Sequence, residues 1–186
     1  MKVLVVFDHP RRESFCGAVL DAFVDGLHSA GHVTEIVDLR AEGFDPRLGP
    51  EDEPDWNAEK IFSAEVLAEQ ARVDRNDAIA FVFPVWWWSV PAPTKGWIDR
   101  VWNRGWAYGP NKLRLKKACM LAMCAADAAH CAKRGYDTAM QTQLVTGVLN
   151  YCGIEDAGIE FLHGSLDDAA TRSGLIDQAR RIGLSF

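Results

Sequence analysis

The sequence predicts an α/β fold, in which a doubly wound, five-stranded parallel sheet carries helices on both faces. Short, continuous apolar runs alternate along the chain with segments of helical periodicity. Continuous apolar runs are typical of strands that are covered on both faces. The length of 186 residues suits a single domain over residues 1–186.

The first elements show this alternation most clearly. Val3–Phe7 is a purely apolar run and predicts a buried strand. In Phe15–Ala30 the apolar residues recur on one helical stripe, and Gly31 ends the predicted helix. Val33–Leu39 predicts the second strand. Pro, Gly and acidic residues are frequent in Arg40–Asn57, which predicts a long surface loop.

The rest of the chain repeats the pattern. Pro84 ends the third predicted strand, Pro and Thr are typical of the first turn of the helix that follows, and Gly153 ends a later helix. The remaining predicted strands are Ala78–Phe83, Ala118–Cys124 and the shorter Ile159–Leu162, and the remaining predicted helices are Ala58–Arg75, Pro93–Arg104, Asp137–Cys152 and Asp168–Ile182.

Charge and composition exclude several classes of function. The net charge of -6 argues against a general nucleic-acid-binding protein, which needs a basic face. No apolar run is long enough for a membrane-spanning helix. The five cysteines are odd in number and form no Cys-x-x-Cys pair, so neither a disulfide framework nor a metal site is expected. The start of the chain resembles a strand rather than a signal peptide, which favours the cytoplasm.

Three loops follow predicted strands at the edge where this type of sheet binds its ligands. In doubly wound sheets, ligands bind beyond the carboxyl ends of the strands, at the point where the strand order reverses. The loops are Asp8–Ser14, Pro84–Pro93 and Ala125–Tyr136. We therefore expect the functional residues in these three segments.

The first loop has the donors for an anion but no known nucleotide-binding motif. It contains neither Gly-x-Gly-x-x-Gly nor a P-loop. His9 and Arg11 offer side-chain donors, Ser14 offers a hydroxyl, and the predicted helix directs its positive end here. These residues fit a phosphate site, but they equally fit an ordinary helix cap at Ser14 with solvated arginines.

The second loop contains three consecutive tryptophans, Trp86–Trp88. Three neighbouring residues cannot all share one face, so at least one ring must be exposed or covered by a ligand or partner chain. A flat aromatic surface suits a planar ligand. By contrast, Trp97 and Trp102 lie on a predicted helix and are expected to pack in the core.

The run from Pro84 to Gly109 carries the most specific signal. It contains Pro-x-x-Trp-Trp-x-Val-Pro at Pro84–Pro91, Lys-Gly-Trp-Ile-Asp-Arg-Val-Trp at Lys95–Trp102, and Gly-Trp-Ala-Tyr-Gly at Gly105–Gly109. Together with Asp-His-Pro at Asp8–Pro10, these motifs resemble the flavodoxin-like NAD(P)H:quinone oxidoreductases. That family includes DT-diaphorase, the bacterial modulator of drug activity and the ancillary reductases of potassium efflux systems.

The resemblance implies a flavin, FMN or FAD, at the carboxyl edge of the sheet, with NAD(P)H as electron donor and a quinone-like acceptor. It implies two-electron hydride transfer by a ping-pong mechanism, a reaction that needs no metal. The implied cofactor-binding residues are His9, Arg11, Ser14, Phe15, Cys16, Gly17, Pro84, Val85, Trp86, Trp87, Trp88, Cys124, Ala125, Ala126 and Asp127.

The resemblance also implies a homodimer with each flavin at the subunit interface. Tyr108 would then line the pocket of the neighbouring subunit, and Trp88 and Trp106 would complete the substrate pocket. His130 and Tyr136 are the nearest matches to family residues that assist hydride transfer, and are the candidate catalytic residues.

One departure from the family pattern keeps other hypotheses open. Many members carry Thr-Thr-Gly-Gly where this chain has Met123-Cys124-Ala125-Ala126, and alanine restricts close backbone approach and positive φ. This favours, as an alternative, a non-catalytic or regulatory partner associated with a transporter, with weak or no flavin binding. A flavodoxin-type electron carrier is a third hypothesis, although the first loop lacks the Thr/Ser/Gly-rich sequence of flavodoxins.

Overall fold

The computed structural model describes residues 1–53 and 62–186. Five parallel strands form one sheet in the order β2-β1-β3-β4-β5, so the predicted fold class is confirmed. The strand order reverses between β1 and β3, which places the ligand-binding edge beside the ends of these two strands. The strands are β1 Lys2–Phe7, β2 Val33–Asp38, β3 Ala78–Pro84, β4 Lys117–Cys124 and β5 Asp156–His163.

Helices cover both faces of the sheet. Alternate residues of each central strand belong to two separate apolar clusters, one on each face. The helices are α1 Phe15–Ser29, α2 Ala64–Asp74, α3 Ala92–Val101, α4 Ala128–Arg134, α5 Tyr136–Met140 and α6 Ala169–Leu184, and a π-helical stretch, Gln141–Asn150, continues α5. In the described part of the chain, no helix is both long and apolar enough to span a bilayer.

The helices α1 and α6 share one face and approach each other closely. A Cβ atom on Gly26 would lie 2.2 Å from the carbonyl oxygen of Arg180, and one on Gly183 would lie 2.2 Å from that of Phe23. The crossing therefore requires glycine on both helices. On the opposite face, Trp97 and Trp102 of the α3 region are buried with Phe81 beneath them, as the sequence predicted.

Several predicted boundaries differ from the structure. The predicted helix Ala58–Arg75 begins at Ala64, because Ser63 caps it by accepting a hydrogen bond from the Val66 N–H (3.3 Å). Residues 58–61 lie outside the described residues. The predicted helix Pro93–Arg104 ends at Val101. The strand predicted at Ile159–Leu162 is longer, since paired residues of an edge strand include polar ones that conceal the apolar pattern.

The predicted loop Ala125–Tyr136 contains a helix, α4, which is a correction to the sequence reading. Asp127 caps it by accepting from the His130 N–H (2.7 Å), and Gly135 ends it in the left-handed conformation (φ 70°). The short helix has only one fully buried side chain, Cys131, so it shows no apolar stripe. The helix predicted at Asp137–Cys152 starts at Tyr136, directly after this glycine.

Candidate functional site

The end of strand β1 carries a fully buried carboxylate, Asp8. One oxygen of Asp8 accepts from the backbone N–H (3.0 Å) and the hydroxyl (2.9 Å) of Thr94, in the first turn of α3. The other oxygen accepts from Arg40 Nε (3.0 Å). Asp8 thus joins the ends of β1 and β2 to the start of α3, where the tryptophan loop ends. The sequence analysis missed this role, although an acid directly after a buried strand at the switch point is a usable signal.

The loop after β1 is packed tightly onto the start of α1. Ser14 caps this helix by accepting from the Gly17 N–H (3.2 Å). A Cβ atom on Gly17 would lie 1.9 Å from the carbonyl oxygen of Arg12, so the close approach of the loop requires glycine here. Within the described residues, the N–H groups of Phe15 and Cys16 have no acceptor, as is usual in a first helical turn. These two groups are available to an anion.

The cationic side chains of this loop have different environments. His9 Nδ1 lies 3.1 Å from the backbone nitrogen of Arg11, which fixes the imidazole ring against the loop. Arg11 itself is exposed. Arg12 folds back onto α1, where it forms an ion pair with Asp21 that raises the pKa of the guanidinium. Both arginines are exposed, but Arg12 is already paired with Asp21, whereas Arg11 forms no ion pair with the residues that the structure describes.

The tryptophan loop forms a tight, left-handed turn. The N–H of Trp86 donates to the Ser89 carbonyl and the N–H of Ser89 donates to the Trp86 carbonyl, both at 3.2 Å. Between them Trp87 and Trp88 have φ values of 52° and 57°, the arrangement of a type I′ turn. Asn-Gly is the usual sequence for this turn, and a side chain in the left-handed region costs about 1–2 kcal/mol.

The three tryptophan rings point into different environments, as the sequence predicted. Trp87 is 95% exposed and Trp86 is 41% exposed. Trp88 is half-buried, packs partly against the core, and stacks on Tyr136 with ring centroids 3.7 Å apart and planes inclined by 13°. Within the described residues, the backbone N–H groups of Trp87 and Trp88 have no acceptor.

A cleft of about 240 Å³ lies where the loops after β3 and β4 meet. Its floor and walls are mainly apolar, and Trp87 at its rim is open to solvent. It lies at the carboxyl edge of the sheet, as the topology requires for a ligand site. The lining residues are Val85, Trp87, Trp88, Cys124, Ala125 and Ala126.

The loop after β4 does not need glycine in this structure. In the described part of the chain, Trp87 and Trp88 are the non-glycine residues with positive φ, so Ala125 and Ala126 are unstrained. The loop is held from β5, because the Ser165 N–H donates to the Cys124 carbonyl (3.0 Å) and His163 Nδ1 lies 3.1 Å from the Ala126 carbonyl oxygen. Sequence reasoning missed both of these residues, which give no local motif.

The thiol of Cys124 is poorly reactive at neutral pH. Burial raises its pKa to about 12, so it stays protonated at neutral pH. Cys131 is also buried, and burial raises its pKa. Both behave as small apolar side chains. Among the described residues, no group of His, Cys, Asp and Glu has the arrangement of a metal site.

The two candidate catalytic residues lie against Trp88 rather than in the cleft. The His130 ring centroid is 6.4 Å from that of Trp88, and the Tyr136 ring covers Trp88 directly. Neither side chain belongs to the lining of the cleft. The side chain of His130 is exposed to solvent.

Trp106 and Tyr108 lie away from the cleft of their own chain. Trp106 Nε1 donates to the carboxylate of Asp74 (3.2 Å), which ends α2 just before β3 begins, and so lies at the amino edge of the sheet. Tyr108 lies beside Tyr151, with ring centroids 5.8 Å apart. The structure therefore does not bring these two predicted pocket residues together with Trp88 within one chain.

Comparison with known proteins identifies the family. The profile of the flavodoxin-like fold family matches residues 1–182. The chain belongs to this family. A solved NAD(P)H:quinone oxidoreductase from Methanothermobacter marburgensis superposes with a TM-score of 0.92 at 33% identity, covering 100% of this chain and 96% of that one.

Two relatives of this chain support the family assignment. YcaK of Escherichia coli K12, an uncharacterized NAD(P)H oxidoreductase, is 38% identical over 164 residues, which cover 87% of this chain and 83% of YcaK. Mouse ribosyldihydronicotinamide dehydrogenase [quinone] is 33% identical over 123 residues, 58% of this chain and 53% of the mouse protein. The relatives and the solved structure are thus named as NAD(P)H oxidoreductases and quinone dehydrogenases, the group that the motifs of this chain predicted.

Proposed function

We propose that the protein is a flavin-dependent NAD(P)H oxidoreductase that reduces quinones or similar acceptors by two electrons, in a ping-pong mechanism. The left-handed turn at Trp87 and Trp88 carries this proposal. It supplies two adjacent backbone N–H donors without acceptors in the described part of the chain, beside an apolar cleft at the switch point. Flat, apolar surfaces with a few fixed donors are typical of sites for planar cofactors.

The residues present fit the two ends of a flavin. For the phosphate end, the free N–H groups of Phe15 and Cys16 lie at the positive end of α1. Ser14, His9, Arg11 and Gly17 complete this region. For the ring end, the cleft offers apolar walls and the N–H groups of the turn. The residues that would hold the ring are Pro84, Val85, Trp86, Trp87, Trp88, Cys124, Ala125, Ala126 and Asp127.

A bound flavin, FMN or FAD, supplies the hydride chemistry, accepting two electrons from NAD(P)H and passing them to the acceptor. The chain's own part is binding, orientation and electrostatics. The N–H groups of Trp87 and Trp88 would stabilise negative charge at the edge of a ring that lies on the cleft, as donors do in an oxyanion hole. The walls formed by Val85 and Trp88 would keep water away from one side of that ring.

His130 is the proposed proton source for the reduced acceptor. Its imidazole is exposed beside Trp88, where it can exchange protons with water and with a molecule in the mouth of the cleft. Histidine is the side chain that most often acts as a general acid or base in enzymes.

We also propose that two copies of the chain assemble with each cleft at the interface. Trp106 and Tyr108 are half-buried and lie outside the cleft of their own chain, so they can contribute only to that of a second copy. The 95% exposed ring of Trp87 is a further candidate for burial by the partner.

Reconstitution with flavin tests the proposed function. The purified chain is mixed with FMN or FAD, unbound flavin is removed by gel filtration, and the absorbance spectrum is recorded without oxygen before and after NADH or NADPH is added. We expect flavin bands that bleach with the nicotinamide and return when menadione follows. Bands that never bleach would support an electron carrier. Protein that stays colourless with both flavins would support the non-catalytic, transporter-associated alternative.

A further inference from the structure

The left-handed turn at Trp87 and Trp88, on which the proposed function rests, requires contacts that stabilise its conformation. Side chains other than glycine seldom stay in the left-handed region unless the surrounding structure fixes them. The pair of hydrogen bonds between Trp86 and Ser89 closes the base of the turn. The exposed ring of Trp87 has almost no packing of its own to fix the backbone. Of the two turn residues with positive φ, Trp88 is the one whose ring packs against the core and can restrain the backbone.

The ring of Trp88 stacks closely on the ring of Tyr136. The two rings are nearly parallel and their centroids lie 3.7 Å apart, whereas the His130 centroid lies 6.4 Å from Trp88. Tyr136 is the first residue of α5 and follows the left-handed Gly135 (φ 70°) that ends α4, so the junction of the two helices sets the position of its backbone. At this distance the two rings overlap almost face to face, so each covers much of one face of the other.

We infer that Tyr136 is a positioning residue: its ring clamps Trp88, and so keeps the turn in the conformation that leaves the N–H groups of Trp87 and Trp88 available to the flavin ring. The clamp is a property of the chain without any ligand. Its benefit to flavin rests on the proposed function. In this role the aromatic ring matters and the phenolic hydroxyl does not, which separates it from a role as proton donor.

Three substitutions at one position separate these roles. Tyr136→Phe keeps the flat ring and removes the hydroxyl. Tyr136→Leu keeps apolar bulk but removes the flat ring, and Tyr136→Ala removes both. Tyr151→Ala is the matched control, since Tyr151 lies at the far end of the same helical segment and is 57% exposed.

Amide hydrogen exchange of the ligand-free chain measures the clamp directly. The reporters are the N–H groups of Trp86 and Ser89, which close the turn. We expect both to exchange roughly three- to tenfold faster in the Leu and Ala variants. In the Phe variant and in Tyr151→Ala they should exchange as in the parent chain. Unchanged exchange in the Leu and Ala variants would overturn the clamp.

Titration of the same variants with FMN and FAD measures the consequence for the cofactor. We expect the dissociation constant to rise by a similar factor in the Leu and Ala variants and to stay constant in the Phe variant. Faster exchange with unchanged affinity would overturn the link to flavin. A Phe variant that binds flavin normally but loses turnover would show that the hydroxyl takes part in the chemistry. If the parent chain binds neither flavin, the proposed function fails, while the exchange data still decide the clamp.

Discussion

At the scale of single residues, the site depends on backbone conformations that its side chains do not favour. Trp87 and Trp88 occupy the two positions of a turn at which Asn and Gly are the common choices. Strain of this kind is often found where structure has been fixed for binding. The sequence showed that the three tryptophans could not all be buried, but it could not show the sign of φ, which depends on how the turn is closed.

Replacing Trp87 should reveal this strain. In the ligand-free chain, Trp87→Asn should raise the free energy of unfolding by about 1 kcal/mol, because asparagine adopts the left-handed region more readily and the lost ring was almost fully exposed. Urea denaturation measures the change. The same replacement at Trp86, whose φ is not positive, is the control and should give no increase. A Trp87→Asn chain less stable than the parent would contradict the strain.

At the scale of elements, the strands and long helices were predictable and the short helix was not. Strands such as Val3–Phe7 are easy to recognise in the sequence. Both faces of the sheet are covered, so the whole run is apolar. The helix α4 buries few side chains and has no apolar stripe. The sequence signals for it are the capping residue Asp127 and the glycine that ends it. Such short elements depend on tertiary contacts, here with Trp88, that a sequence pattern does not contain.

The crossing of α1 and α6 makes a prediction at this scale. Gly183→Ala should lower the free energy of unfolding by about 1–3 kcal/mol, since the new Cβ atom would meet the Phe23 carbonyl at 2.2 Å. Gly174→Ala on the same helix meets nothing within 4 Å and should stabilise the chain by roughly 0.5–1 kcal/mol. Thermal or urea unfolding of the two variants gives the comparison. Equal effects would show that the helices can separate at little cost.

At the scale of the whole molecule, the family and the binding edge could be predicted, and the assembly of the pocket could not. The motif from Pro84 to Gly109 is continuous in sequence, yet its two ends lie at opposite edges of the sheet. Trp88 reaches the cleft, while Trp106 is held by Asp74 at the amino edge. A linear motif cannot show this separation, because it arises from the length of α3, which spans the sheet between them.

The distance between the cleft and the Trp106–Tyr108 end of the motif leads to a prediction about the oligomer. We expect light scattering at micromolar concentration to give twice the chain mass of 20.6 kDa. Tyr108→Ala should then raise the KM for a quinone without changing flavin affinity, since Tyr108 would touch only the acceptor in the other subunit. A stable monomer with full quinone turnover would refute a shared pocket.

The buried carboxylate of Asp8 also constrains how this chain can diverge. Asp8, Thr94 and Arg40 come from three distant parts of the sequence and meet at one pair of oxygens. Substitutions at contacting sites of this kind are not additive, so the effect of each depends on the state of the other two. A lineage that lost one of the three would relax selection on the others, and the three positions should be inherited or exchanged as a unit.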